Sequence, residues 1–310
     1  MSKYLVTGGT GFIGSNIVKK LLEFGHFVRV VDNFSTGRKE NIQEFLENDR
    51  FGLIEGDINN LETVRLAIKD IDFILHQAAI PSVARSINDP VATHNANSTG
   101  TLNVLLAARD NKVKKVVYVS SSSIYGDSPK LPKEESFFPN PISPYALTKY
   151  VGEKYCGLFY KIYGLPTISL RYFNVFEPNQ DPNSEYSVAI PKFIKAILNH
   201  KAPIIYGDGE QSRDFTYVEN VVEANILAVH SRVNGEVINI ACGERYSLNQ
   251  IISLINKILG KNIKPIYQSP RLGDIKHSLT NITKASTLLG YKPIISLMRG
   301  LEKTIEYYKR

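Results

Sequence analysis

The chain has 310 residues, of which 43% are hydrophobic and 22% charged, a composition that excludes a mainly disordered protein and suits a large α/β domain with an appended lobe. Its two cysteines, Cys156 and Cys242, exclude a disulfide scaffold and fit a reducing compartment, so a cytoplasmic location is expected. The net charge is +7, but Lys and Arg are scattered without a long basic run, and an anionic small molecule accounts for the excess as well as a nucleic acid would. No apolar run approaches the roughly 18–20 residues of a membrane span, and Tyr4-Leu5-Val6 has the character of a folded strand rather than a leader.

In chain order, the pattern predicts a strand over Lys3–Thr7 and a helix over Phe12–Phe24, with Ile13, Ile17 and Leu21 at helical spacing and a stop at Gly25. Strands follow at Phe27–Asp32 and Gly52–Gly56, a helix at Glu62–Ile68, and a strand at Asp72–Ala78. A helix over Ala92–Arg109, a strand over Lys115–Ser120, a helix over Tyr145–Tyr163 and a strand over Thr167–Arg171 complete the first half. Repeated β-α-β units with Val/Ile-rich strands predict a Rossmann-type, doubly wound parallel sheet with helices on both faces. After Phe176 the texture changes. A Pro/Asn-rich loop at 178–183 precedes helices near Val188–Leu198, Val221–Ala228, Leu248–Leu259 and Leu301–Tyr308, with short strands near Ile204 and Val237. The expected division is a nucleotide-binding domain over 1–176 and a smaller α/β lobe over 177–310. Segments near 214–243 (Phe215–Val218 and Val237–Ile240) are expected to return to the large domain. There is no internal repeat and no low-complexity tract.

The strongest motif is Thr7-Gly8-Gly9-Thr10-Gly11-Phe12-Ile13-Gly14, placed where the first strand meets the first helix. Glycines there allow a tight turn and bring backbone N–H groups close to a pyrophosphate, which rests on the helix N-terminus. Asp32 ends the second strand, 18 residues after Gly14. A carboxylate at that point accepts a ribose 2′-hydroxyl and repels a 2′-phosphate, which favours NAD over NADP. Asp57-Ile58 and Gln77-Ala78-Ala79 close the third and fourth strands and are further candidate cofactor contacts.

Tyr145-Ala146-Leu147-Thr148-Lys149 sets a phenol and an ammonium at i and i+4, on one helix face. A neighbouring Lys⁺ favours phenolate and is expected to lower the Tyr pKa, so that Tyr145 can take a proton from an alcohol near neutral pH. Ser120–Ser123 end the fifth strand, where a hydroxyl can share that proton. The six His and two Cys show no ligand spacing, and no metal is expected.

With these residues in view, the sequence resembles the extended short-chain dehydrogenase/reductases, in particular the NAD-dependent UDP-sugar 4-epimerases, over essentially its whole length. The matching stretches are TGGTGFIG at 7–14, Asp32, HQAA at 76–79, SSSIYG at 121–126, YALTK at 145–149, RYFN at 171–174, DGEQSRDF at 208–215 and RLGD at 271–274. It is most similar to the branch acting on UDP-N-acetylhexosamines.

The resemblance implies Ser121, Tyr145 and Lys149 as the catalytic set. It implies cofactor contacts from Gly8, Gly11, Phe12, Ile13, Gly14, Asp32, Asn33, Ser35, Thr36, Gly37, Asp57, Ile58, Gln77, Ala78, Ala79, Asn97 and Phe173, besides the catalytic three. It implies substrate contacts from Ser82, Ser123, Asn174, Val188, Ala189, Lys192, Tyr206, Arg213, Arg271 and Asp274, with Ser278 as the small residue that admits a sugar N-acetyl group. Two guanidiniums suit a diphosphate through forked hydrogen bonds. The implied reaction is NAD-dependent 4-epimerisation through a 4-keto sugar, interconverting UDP-N-acetylglucosamine and UDP-N-acetylgalactosamine and extending to UDP-glucose and UDP-galactose.

Other readings are a UDP-glucuronate epimerase, a dehydratase or decarboxylase, and a non-catalytic NAD-binding protein. Ser122-Ser123 stand where dehydratases carry an Asp-Glu pair and decarboxylases a Glu, which disfavours elimination; the intact Ser/Tyr/Lys set disfavours a non-catalytic role. Two departures are visible: Glu177, where the family commonly has Gly, adds charge near the substrate, and Pro81 restricts the loop bordering the sugar. The family also implies a homodimer through a four-helix bundle. The apolar positions expected to form it are Val104, Leu105 and Ala108 on one helix and Val151, Tyr155, Leu158 and Phe159 on the other. No nucleic-acid or membrane partner is expected.

Overall fold

Alternation within the Val/Ile runs determines how the sheet is buried. Tyr4 and Val6 face one side while Leu5 faces the other, and all three are fully buried. In the computed structural model, which describes residues 1–178, 189–270 and 276–309, the first half runs β1 (Lys3–Thr7), α1 (Phe12–Glu23), β2 (Phe27–Asp32), β3 (Phe51–Glu55), α2 (Leu61–Ile68), β4 (Phe73–His76), α3 (Val83–Asn88), α4 (Pro90–His94), α5 (Gly100–Asp110), β5 (Lys115–Ser121), α6 (Pro144–Tyr163), β6 (Thr167–Tyr172) and β7 (Val175–Phe176). The second runs α7 (Ala189–Leu198), β8 (Ile204–Tyr206), β9 (Ser212–Arg213), β10 (Thr216–Tyr217), α8 (Val218–His230), β11 (Glu236–Ile240), β12 (Tyr246–Ser247), α9 (Leu248–Leu259), β13 (Ile266–Gln268), α10 (Thr283–Leu289) and α11 (Leu297–Lys309).

Seven strands form one sheet in the order β11-β6-β5-β4-β1-β2-β3, every pairing parallel. The expected Rossmann-type sheet is therefore present, with its switch point between β1 and β4, where such sheets bind ligands. One face packs on α1 and α8 through Ile17, Val18, Leu21, Val221 and Ala224, the other on α2, α5 and α6 through Val64, Ala67, Val104, Leu105 and Cys156. Strand β11 joins the sheet beside β6, with Val237 opposite Ser169. Strand β10 pairs with β7 through Thr216 and Val175.

Three differences from the sequence reading have physical causes. The helix expected over 92–109 is broken: α4 ends at His94, Asn95–Thr99 forms a π-helical turn, and α5 begins at Gly100. The run Asn-Ala-Asn-Ser-Thr contains weak helix formers whose side chains compete for backbone partners, and the wider turn buries Asn97. The helix α3 and a 3-10 helix over Lys39–Phe45 were not anticipated, being short and, for α3, defined by the Ser82 cap rather than by periodicity. The apolar face expected to mediate dimerisation on α5 turns inward. Val104, Leu105 and Ala108 are fully buried within one chain, as is most of Phe159. The apolar stripe left outside on α6 runs through Leu147, Val151, Tyr155, Leu158 and Ile162.

Helix α6 illustrates how local signals position the site. Ser143 accepts the Ala146 N–H at 3.1 Å, Pro144 occupies the first turn, and Gly164 ends the helix at φ 70°. That frame sets Tyr145 in the first turn, at the mouth of the sheet.

Candidate active site

Strand β1 ends at Thr7 and the chain turns through the glycine loop into α1. Gly8 has φ 68°, and a Cβ there would lie 2.7 Å from the Ala78 backbone; one on Gly14 would lie 2.2 Å from the Gly8 carbonyl oxygen. Gly11 caps α1 without any side-chain hydrogen bond, and the first turn carries no acidic residue. The helix N-terminus therefore presents uncapped N–H groups and a positive dipole end to the cleft, which fits a pyrophosphate. Asp32 ends β2, 9% exposed, with its carboxylate accepting the N–H groups of Thr10 and Phe34, each at 3.0 Å. These bonds hold it in position at the cleft wall. Asn33 Nδ2 donates to Asp57 at 2.9 Å, tying the ends of β2 and β3. The donor set, the cradle and the acid together fit a dinucleotide.

The cleft encloses about 500 Å³. Its wall contains Gly8, Gly11, Phe12, Ile13, Gly14, Asp32, Asn33, Ser35, Thr36, Asp57, Ile58, Gln77, Ala78 and Ala79 along the predicted cofactor side, and Ser82, Ser121, Tyr145, Lys149 and Asn174 at the other end. A second cavity of about 460 Å³ meets it at Asn174 and is walled by Ala189, Lys192, Tyr206 and Arg213, together with Lys201 and Phe215. Five predicted residues stand outside both linings. Gly37 lies against Thr10, Phe173 is buried against Tyr125, and Ser123 sits behind Ser121. Asn97 is 1% exposed, with its amide spent on Ile80 and Thr148. Ser278 donates its N–H to the Ser212 carbonyl at 2.9 Å, next to Arg213. Val188, Arg271 and Asp274 lie outside the described residues.

At the reacting end, the Ser123 N–H and hydroxyl both donate to Ser121 Oγ, at 3.2 and 2.8 Å. Ser121 is thereby left with its own hydrogen to offer, and it hydrogen-bonds Tyr145, which favours phenolate. Burial nevertheless raises the Tyr145 pKa. The i, i+4 spacing alone predicts that Lys149 lowers it. In the folded chain Lys149 Nζ donates to the Val119 carbonyl at 3.0 Å, and burial drops its own pKa to about 7. Desolvation of the phenol thus outweighs the Ser121 hydrogen bond. A group that brings positive charge and hydroxyls into the cleft would shift the balance toward phenolate.

Behind this end stands a buried ion pair that sequence reasoning missed. Arg171 donates two bonds of 2.7 Å to Glu153, and Ser120, the neighbour of Ser121, also donates to that carboxylate. The Arg171 guanidinium lies 4.8 Å from the Tyr125 ring centroid. Glu153 is four residues after Lys149, and Arg171 is a lone charge in a strand buried throughout; both signals were available. Glu177 does not add charge to the substrate side as expected. It is 1% exposed, held by Asn16 of α1, and burial raises its pKa to about 8. Its side chain lines neither cavity. Pro81 does line the first. Among the described residues no cluster of His, Cys, Asp or Glu could hold a metal ion, and no helix is long and apolar enough to cross a membrane.

Comparison with known proteins shows the family of the chain. Residues 4–241 match the NAD dependent epimerase/dehydratase family. A UDP-glucose 4-epimerase of Mycolicibacterium smegmatis is 37% identical over 307 residues, covering 98% of each chain. The UDP-N-acetylglucosamine 4-epimerase from Methanobrevibacter ruminantium, solved in complex with UDP-N-acetylmuramic acid, is 40% identical with a TM-score of 0.94, covering 99% of this chain and 98% of that one. A UDP-glucuronic acid 4-epimerase from Bacillus cereus, solved with UDP-glucuronic acid and NAD, is 38% identical with a TM-score of 0.91, covering 99% of both.

Proposed function

The chain belongs to the NAD-dependent epimerase/dehydratase family, and on that premise we propose that it is a UDP-hexose 4-epimerase whose principal reaction interconverts UDP-N-acetylglucosamine and UDP-N-acetylgalactosamine. The observation that carries the reading is the convergence of Ser121, Tyr145 and Lys149 on the cleft whose other end is the glycine loop. Bound NAD supplies a hydride acceptor and donor for the sugar C4. Tyr145, as phenolate, takes the proton of the 4-hydroxyl, and Ser121 shares it through the hydrogen that Ser123 leaves free. Lys149, buried and close to neutral pKa, responds to a cofactor hydroxyl and stabilises the phenolate. Ser122 and Ser123 offer no carboxyl group to remove a C5 proton or protonate a departing C6 hydroxyl, so the site lacks the acid–base pair that elimination needs there.

For the ring to present its other face, UDP must be held while the hexose is free to turn. Lys192, Tyr206 and Arg213 around the second cavity, with Asn174 at the junction, supply a cationic, hydrogen-bonding grip suited to a nucleoside diphosphate; Ala189, Val188, Arg271 and Asp274 belong to the same proposed set, and Ser82 to the sugar side. We assign Ser278, which lines neither cavity but lies next to Arg213, to the wall that an N-acetyl group passes as the ring turns. We assign residues 1–176 with the returns near 214–243 to the cofactor half, and the rest to the substrate half. We also assign the outer stripe of α6 to a two-fold homodimer interface, which the mass in solution at micromolar concentration tests. Product analysis after separate incubation with UDP-N-acetylglucosamine, UDP-glucose and UDP-glucuronate tests the function. The C4 epimer of the first is expected as the main product; a 4-keto-6-deoxy or decarboxylated product, or turnover of glucuronate alone, would overturn it.

A further inference from the structure

His76 is fully buried in the middle of the sheet, its backbone paired between Thr7 of β1 and Tyr118 of β5. Sheet pairing needs only its main chain, and an apolar side chain would pack there without the desolvation cost of an imidazole. The ring instead joins two threonines. Nδ1 lies 2.6 Å from Thr7 Oγ1 and Nε2 lies 2.9 Å from Thr101 Oγ1.

Hydrogen-bond counting fixes the direction of every link. Thr101 donates its one hydroxyl hydrogen to the Asn97 carbonyl at 2.6 Å, so it accepts from Nε2–H. Nδ1 then accepts from the Thr7 hydroxyl, whose oxygen in turn accepts the Ala78 N–H at 3.2 Å. A neutral imidazole is required, and burial, reinforced by the Lys149 charge, keeps His76 neutral by lowering its pKa to about 3. The chain continues beyond Asn97. Its Oδ1 accepts the Ile80 N–H at 2.8 Å, its Nδ2 donates to Ile80 O at 3.3 Å and to Thr148 Oγ1 at 3.1 Å, and Thr148 donates to the Tyr145 carbonyl at 2.8 Å. Asn97 occupies the π-helical turn, the interruption that brings its side chain between β4 and α6.

We propose that Thr7, His76 and Thr101 are positioning residues: a one-directional hydrogen-bond relay that sets Asn97, and through it the 78–80 wall and the first turn of α6, in fixed register with the end of the glycine loop. The proposal rests on the function proposed above for its kinetic readout. Its physical content is independent of that readout. Two walls of the reacting end, Ile80 and Tyr145, are otherwise carried by separate elements, and a misplacement on the order of 1 Å between such groups costs about a hundredfold in rate.

Thr101→Val keeps the shape of the side chain and removes the link; Thr101→Ser keeps the link. With the holoenzyme at a temperature where all variants are folded, Thr101→Val is expected to lower kcat about tenfold with KM and bound NAD per chain unchanged, and Thr101→Ser is expected to restore kcat. A purely structural threonine would lower the melting temperature without that split. The exchange rate of the Ile80 amide, whose hydrogen goes to Asn97, is read in the chain without cofactor and is expected to rise about tenfold in Thr101→Val and to return in Thr101→Ser. Unchanged kcat together with unchanged Ile80 exchange overturns the relay, as does a loss of kcat that Thr101→Ser does not recover. If the wild type turns over no UDP-hexose, the proposed function falls while Ile80 exchange still decides the relay.

Discussion

The two cavities are built from different materials. The first is shaped by close backbone approach at the glycine loop and by the ends of β2, β3 and β4, with the side chains of Ser121, Tyr145 and Lys149 at its other end. The second is walled by side chains, among them Lys192, Lys201, Tyr206 and Arg213, on short strands and on α7. A site shaped by close backbone approach is sensitive at its glycines, Gly8 and Gly14, and suits a ligand that stays bound. A side-chain-built site takes its selectivity from residue identity and suits a ligand that is exchanged.

Four substitutions test this contrast. Tyr145→Phe removes the group proposed to take the 4-hydroxyl proton; kcat for the C4 inversion is expected to fall about a thousandfold, with NAD content unchanged, as steady-state assay and absorbance of the bound cofactor would show. Glu153→Ala strips the carboxylate from Arg171 and leaves a buried guanidinium unpaired. Equilibrium denaturation should find a loss of about 3 kcal/mol or more. Ser278→Tyr tests the proposal that Ser278, next to Arg213 though in neither lining, borders the path of a bulky 2-substituent. Turnover of UDP-N-acetylglucosamine is expected to drop about a hundredfold while UDP-galactose turnover persists; equal loss of both would remove Ser278 from the substrate path.

A fourth effect is gradual, small at any one pH step, and concerns the junction between the halves. Glu177 titrates near 8 in the folded chain against an ordinary value of 4.5. Its folded pKa is raised, so the stabilisation from its bound proton is complete below about pH 4.5 and is lost as pH rises through about 8. Relative to Glu177→Gln, the wild type should lose about 1.4 kcal/mol of stability per pH unit across that window and level off above it. Parallel stability profiles for the two proteins would show that Glu177 is ionised throughout.

How much was legible in the sequence follows the same contrast. The glycine loop, Asp32 and the Tyr145/Lys149 pair could be read because main-chain geometry forces particular residue types into particular spacings. The π-helical turn was not readable, since Asn95–Thr99 differs from an ordinary helix by one widened turn that no periodicity marks. The destination of Glu177 was missed because it depends on Asn16, 161 residues away. The inward turn of Val104 and Leu105 was missed because an apolar stripe does not say whether its partner is the same chain or another. Arg213 could be read only through the family resemblance, because no spacing marks a lone Arg as a site; the fold brings it to a cavity wall shared with Tyr206.

The central claim is that C4 of the sugar is oxidised and re-reduced within one site, by hydride that never leaves the protein. UDP-N-acetylglucosamine carrying deuterium at C4, incubated with the purified protein in ordinary water, tests it most directly. Mass spectrometry and proton NMR of the UDP-N-acetylgalactosamine formed should find the deuterium still at C4 and no solvent hydrogen introduced into the ring. Loss of the label to water, or its replacement by solvent hydrogen, would contradict the account.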